Sequence, residues 1–218
     1  MLLYYITDRT QFAGNEDLRR RYLLLKVAEA ARCGVDVIQL REKDLSSREL
    51  ENLACACVQI VHENSLLKTE DQDSRTRFLI NSRIDVAIAG GADGVHLRSD
   101  DISPRDAQRV WACGTHVKGP PLIGVSCHTS AEVARAASGD VDFAVFAPVF
   151  EKKNVPGASG VGLEALREAC QLNVRVLALG GVTLENARSC IEAGAAGIAG
   201  IRLFQDADVA QVVGTLRG

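Results

Sequence analysis

A chain of 218 residues with a net charge of −3 and 47% hydrophobic residues fits one domain, spanning 1–218, with enough apolar material for a sizeable core. It carries no basic tail or stripe of the kind nucleic acid attracts. No apolar run approaches the ~20 residues of a membrane span, so neither partner is expected. The start, MLLYYITDRTQF, lacks the basic, apolar and small-residue order of a secretory signal, and the expected location is the cytoplasm.

Short β-rich runs alternate with helical patterns along the chain. The first run is Leu3–Thr7. Glu16–Cys33 follows as a helix, with Leu18, Tyr22, Leu25 and Ala28 at helical spacing and Gly34 as its stop. Val37–Arg41 is the second run, and Ser46–Glu49 reads as a capping box opening a helix through His62. The polar segment Lys68–Arg77 reads as an exposed loop before the third run, Phe78–Asn81. Gly94–Leu97 is the fourth, after which Ser103 with Pro104 marks a helix start. Gly119-Pro120-Pro121 ends a connection into the fifth run, Leu122–Ser126, and Ser130 is placed to cap a helix over Ala131–Ala137. Phe143–Ala147 and Val174–Gly180 are the sixth and seventh runs. Thr183 is placed to cap Leu184–Ala193, and Gly197–Ile201 is the eighth run.

Eight near-continuous apolar runs suit parallel strands buried on both faces. Three phrases recur: CGVDVIQL, GGADGVHL and AGAAGIAGI. Each is a helix end, a glycine and then a strand, the second half of a repeating unit. Eight such units favour a closed (β/α)8 TIM barrel, with an open doubly wound sheet as the alternative.

A barrel places its site at the C-terminal ends of the strands. Those positions are polar here: Asp8 and Arg9; Gln39, Arg41 and Lys43; Asn81; His96 and Asp101; Ser126 and His128; Lys152 and Lys153; Gly180 and Gly181; Gly200 and Arg202. Alternate residues of a strand share one face, so Gln39, Arg41 and Lys43 would offer one amide and two cations to a phosphate or pyrophosphate. The plain alternative is a solvated strand end with Arg41 paired to a carboxylate. Gly180-Gly181, Gly197 and Gly200 would let backbone N–H groups approach an anion, or else serve tight turns and close packing. His128 could act as an acid/base group, or as a loop-bonded structural histidine. His96 reads as a satisfied barrel histidine, and His62 and His116 as surface residues. Asp100 and Asp101 could hold Mg²⁺, or simply favour the following helix N-terminus. The seven cysteines contain no CxxC and read as small buried thiols rather than disulfides or metal ligands, with Cys55 and Cys57 on different helix faces. A nucleophilic role for Cys127 has no supporting His/acid spacing.

Taken together, YYITDR, IQLREK, FLINSRIDVAIAGGADGVHL, IGVSCHTSAEVARA, APVF, LALGGVT and AGAAGIAGI resemble the thiamine phosphate synthase/TenI family nearly end to end. The resemblance implies a (β/α)8 barrel in thiamine (vitamin B1) biosynthesis that binds a thiazole phosphate, with a homodimer as the family expectation. It also implies one of two reactions. The synthase joins hydroxymethylpyrimidine pyrophosphate to thiazole phosphate with Mg²⁺ and loss of pyrophosphate. The TenI-type tautomerase moves a proton on a thiazole carboxylate phosphate and needs no metal.

Under the resemblance, Gln39, Arg41, Lys43, Asn81 and Ser126 match pyrimidine and pyrophosphate positions, and Asp101 matches a metal ligand. Gly180, Gly181, Gly200 and Ile201 match the thiazole phosphate site, with Lys152 on the loop after strand six. His128 matches the proposed TenI acid/base group, with Lys43 and Arg41 as further catalytic candidates. Two features depart from the synthase pattern. The second metal carboxylate is replaced by Ser82, and both threonines of a Pro-Thr-x-Thr-Lys loop are missing from Phe150–Asn154. On these departures the expectation leans to the tautomerase, with the synthase as the alternative and a non-catalytic binder of thiamine precursors as a third reading. Loss of turnover without loss of phosphate affinity in His128→Ala would set an enzyme apart from that binder. The loop over 151–160, with Pro156, Gly157, Ser159 and Gly160, suits a lid.

Overall fold

The computed structural model describes residues 1–65, 75–114, 119–151 and 159–218. Eight parallel strands close into a barrel in sequence order. They are β1 (Leu2–Ile6), β2 (Val37–Leu40), β3 (Arg77–Asn81), β4 (Gly94–Leu97), β5 (Leu122–Cys127), β6 (Phe143–Phe146), β7 (Val176–Ala178) and β8 (Gly197–Gly200). Around them lie α1 (Glu16–Cys33), α2 (Ser47–Ser65), α3 (Ile84–Ala89), α4 (Pro104–Ala112), α5 (Ser130–Ala137), α6 (Gly162–Cys170), α7 (Ala187–Glu192), α8 (Arg202–Gln205) and α9 (Val209–Arg217). The closed (β/α)8 barrel is therefore as the strand count predicted. Among the described residues, no helix is long and apolar enough to cross a membrane.

The period-2 alternation of a strand divides two cores. Leu3 and Tyr5 of β1, Ile38 and Leu40 of β2, and Phe78 and Ile80 of β3 face outward into a layer shared with the helices. Tyr4, Ile6, Val37, Leu79, Phe143, Val145, Leu177 and Ala199 fill the lumen. Tyr4 meets Phe143 edge-on at 5.2 Å between ring centres. Gly124 leaves room for this layer, because a Cβ there would come within 2.5 Å of the Phe143 ring.

The recurring phrases carry a device at the floor of the barrel. Asp36, Asp93 and Asp142 each precede an even-numbered strand. Each carboxylate accepts the backbone N–H of the strand before it: Leu3 at 2.7 Å, Phe78 at 2.8 Å and Ile123 at 2.7 Å. Each aspartate also donates its own N–H to the carbonyl of that same residue, at 3.1, 2.8 and 2.9 Å. The two bonds clamp β1 to β2, β3 to β4 and β5 to β6. At the fourth equivalent place, before β8, stands Ala196, which keeps only the backbone bond to Val176 at 2.8 Å. Gly94 and Gly197 share the next place in the repeat. A Cβ there would lie 2.0 Å from the Leu122 oxygen and 2.1 Å from the Leu2 oxygen, so only glycine admits the neighbouring strand.

Local signals hold where a side chain meets a backbone group. Asn15 caps α1 and Gly34 ends it in the left-handed conformation. Ser46 and Glu49 form the reciprocal capping box, and Ser103 caps α4 with Pro104 at its start. Two caps fall elsewhere than expected. Thr129, not Ser130, caps α5, its hydroxyl accepting the Glu132 N–H at 3.2 Å. Thr183 does not open α7, which starts at Ala187. The Asn186 side chain folds back onto the Thr183 N–H and the Gly181 carbonyl and holds that stretch as a turn. The seventh strand is shorter than Val174–Gly180, because pairing with β6 begins at Val176 and ends at Ala178. On α1, Leu18, Tyr22 and Leu25 face solvent, while Leu23, Val27, Ala30 and Ala31 face the barrel. Cys55 is exposed and Cys57 buried, as their spacing predicts; Cys113 is exposed as well, so not every thiol is buried.

Candidate active site

One cavity of about 2060 Å³ opens at the C-terminal ends of the strands. Its apolar floor includes Ile6, Val145, Leu179 and Ala199, which continue the lumen layer. On the β2–β5 side it is walled by Gln39, Arg41, Asn81, His96 and Ser126, and on the β7–β8 side by Gly180, Gly181, Gly200, Ile201 and Arg202. His128 lines it between them.

The β2–β5 wall is held by a chain of hydrogen bonds through the lumen. The Gln39 amide donates to the Tyr4 hydroxyl at 2.8 Å. Tyr4 lies 3.0 Å from Nδ1 of His96, and Nε2 of His96 lies 2.8 Å from the Ser126 hydroxyl. They meet because Gln39, His96 and Ser126 point inward one period from Val37, Gly94 and Gly124, and Tyr4 belongs to the same lumen layer. Burial, and then the nearby Arg41 cation, push the His96 pKa down to about 3. Burial raises the Tyr4 hydroxyl well above its ordinary range, opposed by the Gln39 bond. Both rings are therefore neutral near pH 7. His96 is the satisfied barrel histidine expected, but it connects two wall residues instead of standing aside from them.

Arg41 is half-buried and its backbone N–H donates to the Thr7 hydroxyl at 3.0 Å. Thr7 in turn donates to Glu42 at 2.6 Å. Glu42 is buried and bonded to Arg9, whose side chain, 3% exposed, also pairs with Glu16 and Asp44. Arg9 thus braces the β1 and β2 ends from behind and does not face the cavity. Burial raises the Glu42 carboxyl, an effect partly opposed by its bonds to Thr7 and Arg9. The strand alternation that would align Lys43 with Gln39 ends at Leu40. Lys43 is exposed and outside the cavity lining.

Asn81 and Asp101 lie on either side of Ser82. The Asn81 amide donates to the Ser82 hydroxyl at 3.1 Å, and that hydroxyl donates to Asp101 at 2.6 Å. Ser82 adopts a left-handed φ of 59°, unusual for a residue with a side chain. Asp101 also accepts the Arg98 N–H at 2.7 Å, with the guanidinium 3.6 Å from its other oxygen. Among the described residues no cluster of three or more His, Cys, Asp or Glu could hold a metal. Mg²⁺ needs less than that: one or two carboxylates, with substrate phosphates and water completing the shell. Asp101, whose Oδ1 carries only the longer ion pair, offers one such carboxylate next to Asp100, the member of the acidic pair that lines the cavity.

His128 donates from Nδ1 to the Ala147 carbonyl at 2.8 Å, since a carbonyl can only accept. Its backbone N–H is bonded to Glu132. With that proton on Nδ1, the lone pair of an uncharged ring sits on Nε2, and the residue lines the cavity. Cys127 is buried beside it, and burial pushes its thiol up to about 12, away from nucleophilic use.

Gly180 and Gly181 have φ of 94° and 64°. A Cβ on either would come within 2.7 Å of Pro148 or of the Glu151 carbonyl. Close packing of the segment after β6 over the end of β7 thus requires both glycines, and the same packing brings their backbone to the cavity wall. Gln205 on α8 accepts from the Tyr5 hydroxyl and the Asp8 N–H and donates to the Asp8 carbonyl, which anchors the end of β8 to that of β1. Lys152, Lys153, His116 and most of the Lys68–Arg77 and 151–160 loops lie outside the described residues. Two contributors escaped the sequence reading. Tyr4 was hidden in an apolar run, where only its inward register marks it. Arg98 lines the cavity two residues after its His96 neighbour.

Residues 3–204 match the family model described as thiamine monophosphate synthase. A thiamine-phosphate synthase of Methanoculleus marisnigri is 36% identical over 218 residues, covering 99% of this chain and 93% of that protein. One of Roseiflexus sp. is 35% identical over 201 residues, covering 91% and 75%. A solved thiamine phosphate pyrophosphorylase of Pyrococcus furiosus superposes with a TM-score of 0.78 at 28% identity, covering 99% and 93% of the two chains.

Proposed function

We propose that this chain, which belongs to the thiamine monophosphate synthase family, joins a pyrimidine pyrophosphate to a thiazole phosphate and releases pyrophosphate. The observation that carries this reading is the two-sided cavity. One wall offers hydrogen-bonding groups and a cation for a heteroaromatic pyrophosphate. The opposite wall offers glycine-bearing strand ends where barrels commonly take phosphate. The names of the relatives support the transferase over the tautomerase that Ser82 and the missing threonines had favoured.

In this reading Gln39, Asn81 and Ser126 orient the pyrimidine, and Arg41 faces the pyrophosphate with Lys43 and Lys152 as outer cations. Gly180, Gly181, Gly200 and Ile201 receive the thiazole phosphate. The bond between the pyrimidine methylene and the pyrophosphate oxygen breaks, and the electron pair leaves with pyrophosphate. The thiazole nitrogen lone pair then forms the new C–N bond. Apolar Ile6, Val145 and Leu179 keep water from the electron-poor methylene. Asp101 would hold Mg²⁺, which when bound supplies positive charge to the departing pyrophosphate. Ser82 cannot add a second carboxylate, so Arg41 and Arg98 carry more of that charge here.

A second reading rests on His128. Its Nε2, without a hydrogen bond among the described residues and in the same cavity as the phosphate wall, suits a thiazole tautomerase. One assay separates the two. Purified protein is mixed with the pyrimidine pyrophosphate and thiazole phosphate, with Mg²⁺ or with chelator, and thiamine phosphate is quantified. Mg²⁺-dependent product is expected. Folded protein that binds thiazole phosphate yet makes no product would overturn the transferase and make His128→Ala, assayed for proton exchange on a thiazole carboxylate phosphate, the next variant.

A further inference from the structure

We infer that a second cavity, on the floor of the barrel and at the opposite end from the strand-end site, binds a small organic monocarboxylate. The ligand would supply the carboxylate that the β7–β8 pair lacks.

The floor repeats one arrangement three times. Asp36, Asp93 and Asp142 each accept a backbone N–H from the strand before them, at 2.7, 2.8 and 2.7 Å. Two of these carboxylates also hold a cation. Asp36 takes Arg217 at 2.6 Å, and Asp93 takes Arg75 and, at 3.5 Å, Arg77. The β7–β8 pair keeps the donors and loses the acid. Ala196 gives its N–H to the Val176 carbonyl at 2.8 Å, the same backbone bond that the three aspartates make, but its methyl has no oxygen to accept the Val176 N–H in return. Arg175 stands immediately before Val176, as Arg77 stands immediately before Phe78. With no aspartate at position 196, the exposed Arg175 donates from Nε to the Asp142 backbone carbonyl at 3.0 Å instead.

The place of the missing side chain is open. Arg175, Val176 and Ala196 all line a cavity of about 590 Å³. A carboxylate set there would accept the Val176 N–H as Asp93 accepts that of Phe78, and would face Arg175 as Asp93 faces Arg77. Both bonds favour binding, because a donor left without an acceptor costs free energy and an ionised acceptor makes the stronger hydrogen bond. Two further features set the ligand class. Asp142 lines the same cavity, and its negative charge opposes a dianion more than a singly charged group. Val141, Leu172 and Val174 offer apolar surface to a short aliphatic chain.

Butyrate serves as the probe, titrated into the full chain at an ionic strength held constant with chloride. Amide NMR should show the Val176 N–H moving downfield and saturating with a Kd of ~1–10 mM. A Val176 amide that does not move would overturn the inference, and so would a response confined to Gly200 at the barrel mouth. Inorganic phosphate at the same concentrations should leave Val176 in place; an equal shift would overturn the monocarboxylate class. Arg175→Gln should weaken butyrate by at least ~5-fold, and unchanged affinity would remove the guanidinium from the site and overturn the assignment. Ala196→Asp builds the carboxylate into the chain. It should raise the thermal midpoint by ~2–8 °C and abolish the butyrate response at Val176; a folded Ala196→Asp protein that still binds butyrate there would overturn the inference. The titration of the unmodified protein decides the matter whether or not either variant folds.

Discussion

At the floor of the barrel, three aspartates accept backbone N–H groups and return their own, and every backbone partner belongs to the preceding strand. At the mouth, Gln39, Ser126 and His128 are bonded on one side and face the cavity on the other. The same residue classes stand in the same repeating units at the two ends. What differs is whether the hydrogen-bonding capacity is used up within the fold. Where an aspartate stands, the floor saturates its polar groups and gains rigidity. The mouth leaves one donor or acceptor per residue for a ligand, and holds each side chain from behind so that this free capacity points one way.

The largest effect is expected at the brace behind the mouth. Arg9→Ala should cost ~3–5 kcal/mol of stability, because it leaves Glu42 buried without its cation; urea denaturation reads this, and a loss near zero would mean that Glu42 is relieved by water or by protonation. Next, Arg41→Ala should lower kcat/KM for the pyrimidine pyrophosphate by ~10- to 100-fold with the urea midpoint unchanged. Its floor counterpart, Asp142→Ala, should do the reverse: ~1–3 kcal/mol of stability lost as the Ile123 N–H loses its partner, with kcat/KM within about twofold. Asp142→Asn, which keeps an acceptor oxygen, should recover most of that loss.

The smallest effect expected is a pH dependence set by His96. His96 has a folded pKa of about 3, depressed chiefly by burial, against about 6.5 in the unfolded chain. The unfolded state therefore binds the proton first as pH falls. The stability that His96 contributes is full above pH ~6.5 and is lost toward pH ~3, at up to about 1.4 kcal/mol per pH unit. His96→Gln should flatten the stability curve between pH 6 and 4 by that slope. Parallel curves for the two proteins would show that the ring is more solvated than its burial implies.

The chain's own pattern determined much of this. Eight apolar runs separated by helical stretches, with glycine before the strand in each repeated phrase, specify parallel strands and closure, because periodicity and steric room are local properties. Asn15, Gly34, Ser46 with Glu49, and Ser103 with Pro104 were legible as helix ends for the same reason: each meets a backbone group within a few residues. The polar strand ends Gln39, Asn81, Ser126 and Gly180-Gly181 were legible as one rim, since a barrel gathers its C-terminal strand ends whatever the distance in sequence. Tertiary structure alone decided the rest. Arg9 turned inward to Glu42 and Asp44, and Lys43 fell outside the cavity when β2 ended at Leu40. Tyr4 reached His96 across 92 positions of sequence. No local pattern encodes such a meeting, because it depends on how the strands stagger when the barrel closes, and that stagger is set by all eight strands together.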